Sequence, residues 1–217
     1  MKSLINCLAI SLSFVLLTGT ISHAAGRDIC PPCCGNTTKA APSEYLKNWL
    51  DTEQASLEEF FGVEASFSTF DDGHEPNAYA DWSEPGTGEV VFGESLLLHF
   101  LMKGESGKWA ILSVMAHEYG HILQMERDVR LYGRPLELHA DFLAGYYLGK
   151  VLPDSMRTHV RSVMAGCFFD FGDYWLNSPG HHGTPQERML VALEGFSRSN
   201  MCLEEAFAYG AAFAKYR

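Results

Sequence analysis

The stretch from about Lys108 to Arg127 constrains this chain more tightly than any other. Ile111, Leu112, Val114, Met115, Ile122, Leu123 and Met125 fall on nearly every side of a helix, so no broad polar face remains and the helix belongs in the interior. Yet it carries His117-Glu118-Tyr119-Gly120-His121. His117 and His121, four residues apart, stack on one side and can aim two imidazole nitrogens at one tetrahedral ion. Glu118 lies about 100° around the helix, beside the open position of such an ion, where its carboxylate can accept a proton from water. Two imidazoles and a carboxylate in an apolar helix are unfavourable unless a partner offsets their desolvation, and a divalent metal is that partner. Gly120 costs a helix interior roughly 1 kcal/mol, which fits a need for close approach at that point.

A catalytic zinc takes three protein ligands and keeps one position open, so a third donor must come from elsewhere. After the break at Leu131-Tyr132-Gly133-Arg134, Pro135 starts a second helix bearing Glu137-Leu138-His139-Ala140-Asp141. Glu137 and Asp141 share a face, whereas His139 points about 200° away from Glu137. The expected site is therefore His117, His121 and Glu137 around one Zn²⁺ per chain. Asp141 would accept the free ring N–H of a ligating histidine. His139 is the alternative third ligand.

The 217 residues, 47% hydrophobic and 12% aromatic, suit one globular domain. Lys2 followed by the apolar run Leu4–Leu17 and by Ser22-His23-Ala24-Ala25 reads as a cleavable export signal over 1–24, broken by Asn6, Ser11 and Ser13 and too short for a membrane span of about 20 residues. The expected location is periplasmic or extracellular. No transmembrane segment is expected in the mature chain. Net charge is −11 with no Lys/Arg cluster, which argues against nucleic acid as a partner. Residues 25–42 read as a Pro- and Cys-bearing linker, and the folded domain is expected over 43–217. A helix opens at Ser43-Glu44, a strand covers 63–70, and 77–80 and 89–92 form a hairpin across a turn-rich 83–88. From Leu96 the pattern turns helical, and after Gly107 it is helical almost to the end.

Three blocks resemble the gluzincin metallopeptidases, and more narrowly the bacterial putative neutral zinc metallopeptidase group: His117-Glu118-Tyr119-Gly120-His121 with Gln124, Glu137-Leu138 with Ala140-Asp141 and Ala144-Gly145, and His182-Gly183-Thr184 with Gln186 and Arg188. The blocks come in the expected order and cover about half the chain. The resemblance implies an α+β, zincin-like fold: a small antiparallel sheet over the active-site helix, its edge strand holding substrate in extended form, followed by a mostly helical C-terminal part. Pro76–Ala80 and Glu89–Phe92 resemble that sheet region. Phe142 stands where a Cys often follows the Ala-Asp pair.

The last block also has a local reading: Thr184 caps a helix, Pro185 fills its first turn and Glu187 completes a capping box. His182 is either part of that cap or leans into the cleft to stabilise an oxyanion, and Arg188 anchors the loop or a carboxylate. Tyr132, Tyr146, Tyr147 and Tyr174 are possible donors to that oxyanion, but as aromatic residues of an apolar domain they fit the core better. The chemistry these residues suit is hydrolysis of a peptide or protein substrate, with Glu118 as general base. A catalytically silent, zinc-stabilised peptide-binding module is the rival. A thiol function at Cys30-Pro31-Pro32-Cys33-Cys34 is a third reading, weakened by the absence of a preceding strand. Without the signal five cysteines remain, an odd number, and a Cys167–Cys202 disulfide is open.

Overall fold

A computed structural model describes residues 44–73, 76–84, 87–176, 178 and 181–217. The proposed signal, the linker with its Cys30-Pro31-Pro32-Cys33-Cys34 segment, and the Pro85-Gly86 turn lie outside them. The architecture is α+β and mostly helical: α1 (Glu44–Phe61), β1 (Ala65–Phe70), β2 (Ala78–Glu84), β3 (Thr87–Gly93), α2 (Glu94–Leu101), α3 (Glu105–Glu126), α4 (Arg134–Val151), α5 (Asp154–Asp170), α6 (Pro185–Ser197) and α7 (Leu203–Lys215).

Leu46, Leu50, Leu57 and Phe61 form the buried stripe of α1, at the spacing that keeps one helical face on the core. The β2–β3 hairpin forms, with Ala78 opposite Phe92 and Ala80 opposite Val90. The sheet is not wholly antiparallel, however. Its order is β1-β3-β2, and β1 pairs with β3 in parallel, Phe67 beside Val90. The loop after β1 makes this possible by crossing to the far edge before β2 begins. Asp72 pins that crossing, accepting from the backbone N–H groups of Asn77, Ser95 and Leu96 and so tying the loop to the start of α2. The helical run expected after Leu96 breaks at Gly104, whose φ of 62° ends α2 before α3 starts.

Buried helix α3 is the axis of the molecule, with every residue from Ala110 to Gln124 in the interior. The sheet lies over it so closely that a Cβ on Gly88 would collide with Ile122. Tyr119 adds a hydrogen bond to the Ala65 carbonyl (3.3 Å) at the head of β1. Helices α4 and α6 touch backbone to backbone: a Cβ on Gly145, Gly149 or Gly195 would overlap the carbonyl of Ala192, Phe196 or Phe142. This contact sets α6 against α4 at the level of Asp141. The helical C-terminal part is interrupted between Asp170 and Pro185, where the described residues form neither helix nor strand.

Cys167 and Cys202 are both free thiols, the first buried in α5 and the second exposed at the start of α7. Among the described residues there is no disulfide, so the pairing left open by the sequence is not made. No helix among them is long and apolar enough to cross a membrane.

Candidate metal centre

Helix α3 presents His117 and His121 one turn apart, and α4 brings Glu137 against them from its first turn. Gly133, at φ 57°, turns the chain into α4, and Pro135 sits in the opening turn, where its missing N–H leaves nothing unsatisfied. The three ligand atoms converge. His117 Nε2 and His121 Nε2 are 3.1 Å apart, and each lies 3.5 Å from an oxygen of Glu137. Donors about 2.0–2.1 Å from a shared tetrahedral ion stand about 3.3–3.4 Å from one another, so this spacing fits a metal of zinc's size. All three side chains are 3% exposed, and Glu137 Oε2 is sealed from solvent without a hydrogen bond.

The surrounding groups leave both Nε2 lone pairs bare. His117 Nδ1 lies 2.8 Å from Asp141 Oδ1. Asp141 can only accept, so Nδ1 carries the proton, although the approach is off the N–H axis and acts more as a charge contact than an aligned bond. His121 Nδ1 faces Gln124 Oε1 at 2.7 Å. The Gln124 amide nitrogen donates to the Leu136 carbonyl (2.9 Å), which fixes the amide's orientation and makes His121 Nδ1 the donor. Two bare imidazole nitrogens 3.1 Å apart repel unless a proton or a cation lies between them.

Asp141 is fully buried, and Arg188 of α6 grips it with both forks, Nε to Oδ2 at 2.8 Å and Nη2 to Oδ1 at 2.7 Å. Arg188 also donates to the Phe171 carbonyl (3.2 Å). Burial would raise Asp141, but Arg188 outweighs it and holds the carboxylate ionised below its ordinary range. Burial likewise works against ionised Glu137, and the two imidazoles more than offset it, holding Glu137 well below the usual range. His117 is pushed down by burial and up by Asp141 and Glu137, and the carboxylates prevail at about 9. The buried carboxylates Glu118, Glu137 and Asp141 outnumber the single buried guanidinium, Arg188, so the site favours an added positive charge, whether a proton on His117 or a metal ion.

Glu118 is 2% exposed and accepts no hydrogen bond from the described residues. Burial raises its carboxyl, opposed by His117 and His121. That is the environment of a carboxylate poised to exchange a proton.

His139 does not join the cluster. It is fully buried on the other side of α4, where Nε2 donates to the Phe207 carbonyl (3.1 Å) and Nδ1 accepts from Gln124 (3.2 Å). Burial drives its pKa down to about 3, so it stays neutral. His182 stands on the loop before α6, half-buried, and its imidazole makes no hydrogen bond among the described residues. Burial lowers its pKa, while Glu137 acts in the opposite sense, which places the ring within electrostatic reach of the cluster. Its backbone N–H donates to Asp173 (3.3 Å), a residue that also receives His181 Nδ1 (2.7 Å) and Trp175 N–H (2.7 Å) and thereby shapes the loop. The capping box forms as expected, Thr184 Oγ1 accepting from Glu187 N–H and Glu187 accepting from Thr184 N–H. Capping and a cleft-facing His182 are thus not exclusive.

Of the four tyrosines, Tyr146 and Tyr147 are core, the first bonded to the Met201 carbonyl. Tyr132 and Tyr174 are exposed at 78% and 65%, contrary to a core assignment. Gln124, whose role the sequence did not reveal, had one signal: it follows His121 by three residues and so shares its helical face. No protein family, curated protein or solved structure matches the chain.

Proposed function

We propose that this protein is an exported, zinc-dependent peptidase, acting in the periplasm or outside the cell on peptide or protein substrates, with His117, His121 and Glu137 as ligands of one Zn²⁺. The observation that carries the reading is the buried triad of ligand atoms at tetrahedral spacing, among carboxylates that outnumber the one buried guanidinium. The donor set of two imidazoles and one carboxylate suits a catalytic zinc with an open position. When bound, the ion supplies a Lewis acid for a peptide carbonyl and for water.

The chain's own residues supply the rest. Glu118 takes the proton of the attacking water on its carboxylate and returns it to the leaving amine, a two-way exchange that its raised pKa favours. Asp141 and Gln124 hold the two imidazoles in the tautomer that presents Nε2. His182, whose ring is neutral and makes no hydrogen bond among the described residues, donates to the oxygen of the tetrahedral intermediate. Strand β2, an edge of the sheet that packs on α3, offers a backbone ladder to an extended substrate.

Glu118→Gln keeps shape and removes the base. The expected result is unchanged zinc content and loss of peptide hydrolysis by a factor of at least about 10². Full activity in that variant refutes the mechanism, and zinc in the wild type with no turnover of any peptide pool favours the silent binding module instead.

A further inference from the structure

Between α2, α3 and α5 lies a cavity of about 260 Å³ that contains none of the candidate metal ligands, although the carbonyl of its wall residue Phe171 accepts from Arg188. Its α3 wall, Ser106 and Ala110, precedes His117 by eleven and seven residues, about 16 and 10 Å along the helix, so it is not a continuation of the site around Glu118. The interior is mostly apolar, walled by Leu96, Phe100, Ala110, Val163 and Phe171 with the buried Cys167 thiol, and His99, Ser106 and Ser162 add polar groups, His99 within electrostatic reach of both Lys103 and Asp170. The rim carries opposite charges: Lys103 on the α2 side and Asp170 at the end of α5. Neither makes an ion pair among the described residues, and Lys103 Nζ stands 5.5 Å from the Phe100 ring.

Gly166, an exposed position of α5, lies in the cavity wall. Gly107, Gly145, Gly149, Gly195 and Gly210 are helical glycines with another atom where a Cβ would go, but a Cβ on Gly166 would meet nothing within 4 Å. Glycine weakens a helix interior, and here no neighbour demands it. The missing side chain leaves room at the cavity wall.

From these features we infer that the cavity binds a free apolar α-amino acid of the phenylalanine or leucine class, side chain inside, carboxylate toward Lys103 and ammonium toward Asp170. The size agrees, since an apolar cavity of about 150 Å³ already admits benzene, and the remaining volume takes the α-carbon with its two charged groups. A zwitterion satisfies both rim charges, which a fatty acid or a neutral hydrocarbon does not. The inference stands apart from the zinc reading and survives its failure.

Calorimetric titration of the full-length protein with L-phenylalanine tests it, beside L-serine, N-acetyl-L-phenylalanine and L-phenylalaninamide. Saturable binding of one phenylalanine per chain is expected, with L-serine and both blocked derivatives weaker. Gly166→Leu fills the space and abolishes binding while leaving helical circular dichroism intact. Lys103→Met and Asp170→Asn, both at exposed positions, each weaken binding about two- to fivefold, the range for a solvent-exposed ion pair. No saturable binding of phenylalanine or leucine, binding untouched by a folded Gly166→Leu, or equal binding of either blocked derivative overturns the assignment. Should Gly166→Leu fail to fold, unchanged affinity in both rim variants overturns it equally.

Discussion

Arg188→Met is the most informative test of how the candidate centre is held together. The guanidinium is 1% exposed and spends two hydrogen bonds of 2.7 and 2.8 Å on Asp141, itself fully buried. Removing it leaves an interior carboxylate with His117 as its remaining partner, and it orphans the Phe171 carbonyl. Breaking a buried pair from one side destabilises by about 3–5 kcal/mol, because the surviving charge stays desolvated. For a chain of this size each kcal/mol moves the midpoint of thermal unfolding by about 2–4 °C, so a fall of about 6–20 °C is expected. Urea denaturation monitored by circular dichroism, on protein stripped of metal by chelator, reads the same loss as a lower midpoint at unchanged slope. The double variant Arg188→Met with Asp141→Leu recovers more than half of it, since no unpaired charge then remains. A loss below about 1 kcal/mol in the single variant, or no recovery in the double, refutes the argument that this pair is a tightly coupled support for His117.

Gln124→Leu removes the acceptor for His121 Nδ1–H and the bonds to the Leu136 carbonyl and His139 together. Zinc affinity, measured by competition with a chromophoric chelator, falls by about 10- to 100-fold, the usual effect of losing the partner of a ligating histidine; affinity equal to wild type contradicts the assigned tautomer. Glu187 is held at about 2 by Arg134 and Thr184. A carboxylate whose folded pKa is depressed stabilises above its unfolded pKa and loses that contribution as pH falls toward the folded one, so the window is from about 4.5 down to about 2. Glu187→Gln therefore lowers stability at pH 7 by about 1–2 kcal/mol, and the difference from wild type disappears at pH 2 in a denaturation series.

The sequence made the centre legible because its signals are local. Helical spacing alone puts His117 above His121 and Glu137 below Asp141, and the same arithmetic turns His139 away, as found. The capping box at Thr184 is equally local. What could not be read depends on contacts between distant segments. The parallel pairing of β1 with β3 rests on a crossing pinned by Asp72 to α2, more than 20 residues on. The support of Asp141 by Arg188 spans 47 residues and requires the glycine-mediated contact of α4 with α6. The bond from His139 to the Phe207 carbonyl leaves no mark in the residue types, because any residue supplies a carbonyl.

The central claim is tested most directly by diffraction from a zinc-soaked crystal at the zinc absorption edge. The account predicts one anomalous peak per chain, about 2.0–2.2 Å from His117 Nε2, His121 Nε2 and a Glu137 oxygen, with a fourth position open toward Glu118. A chain without that peak, or a peak held by other side chains while Glu137 turns away, contradicts it.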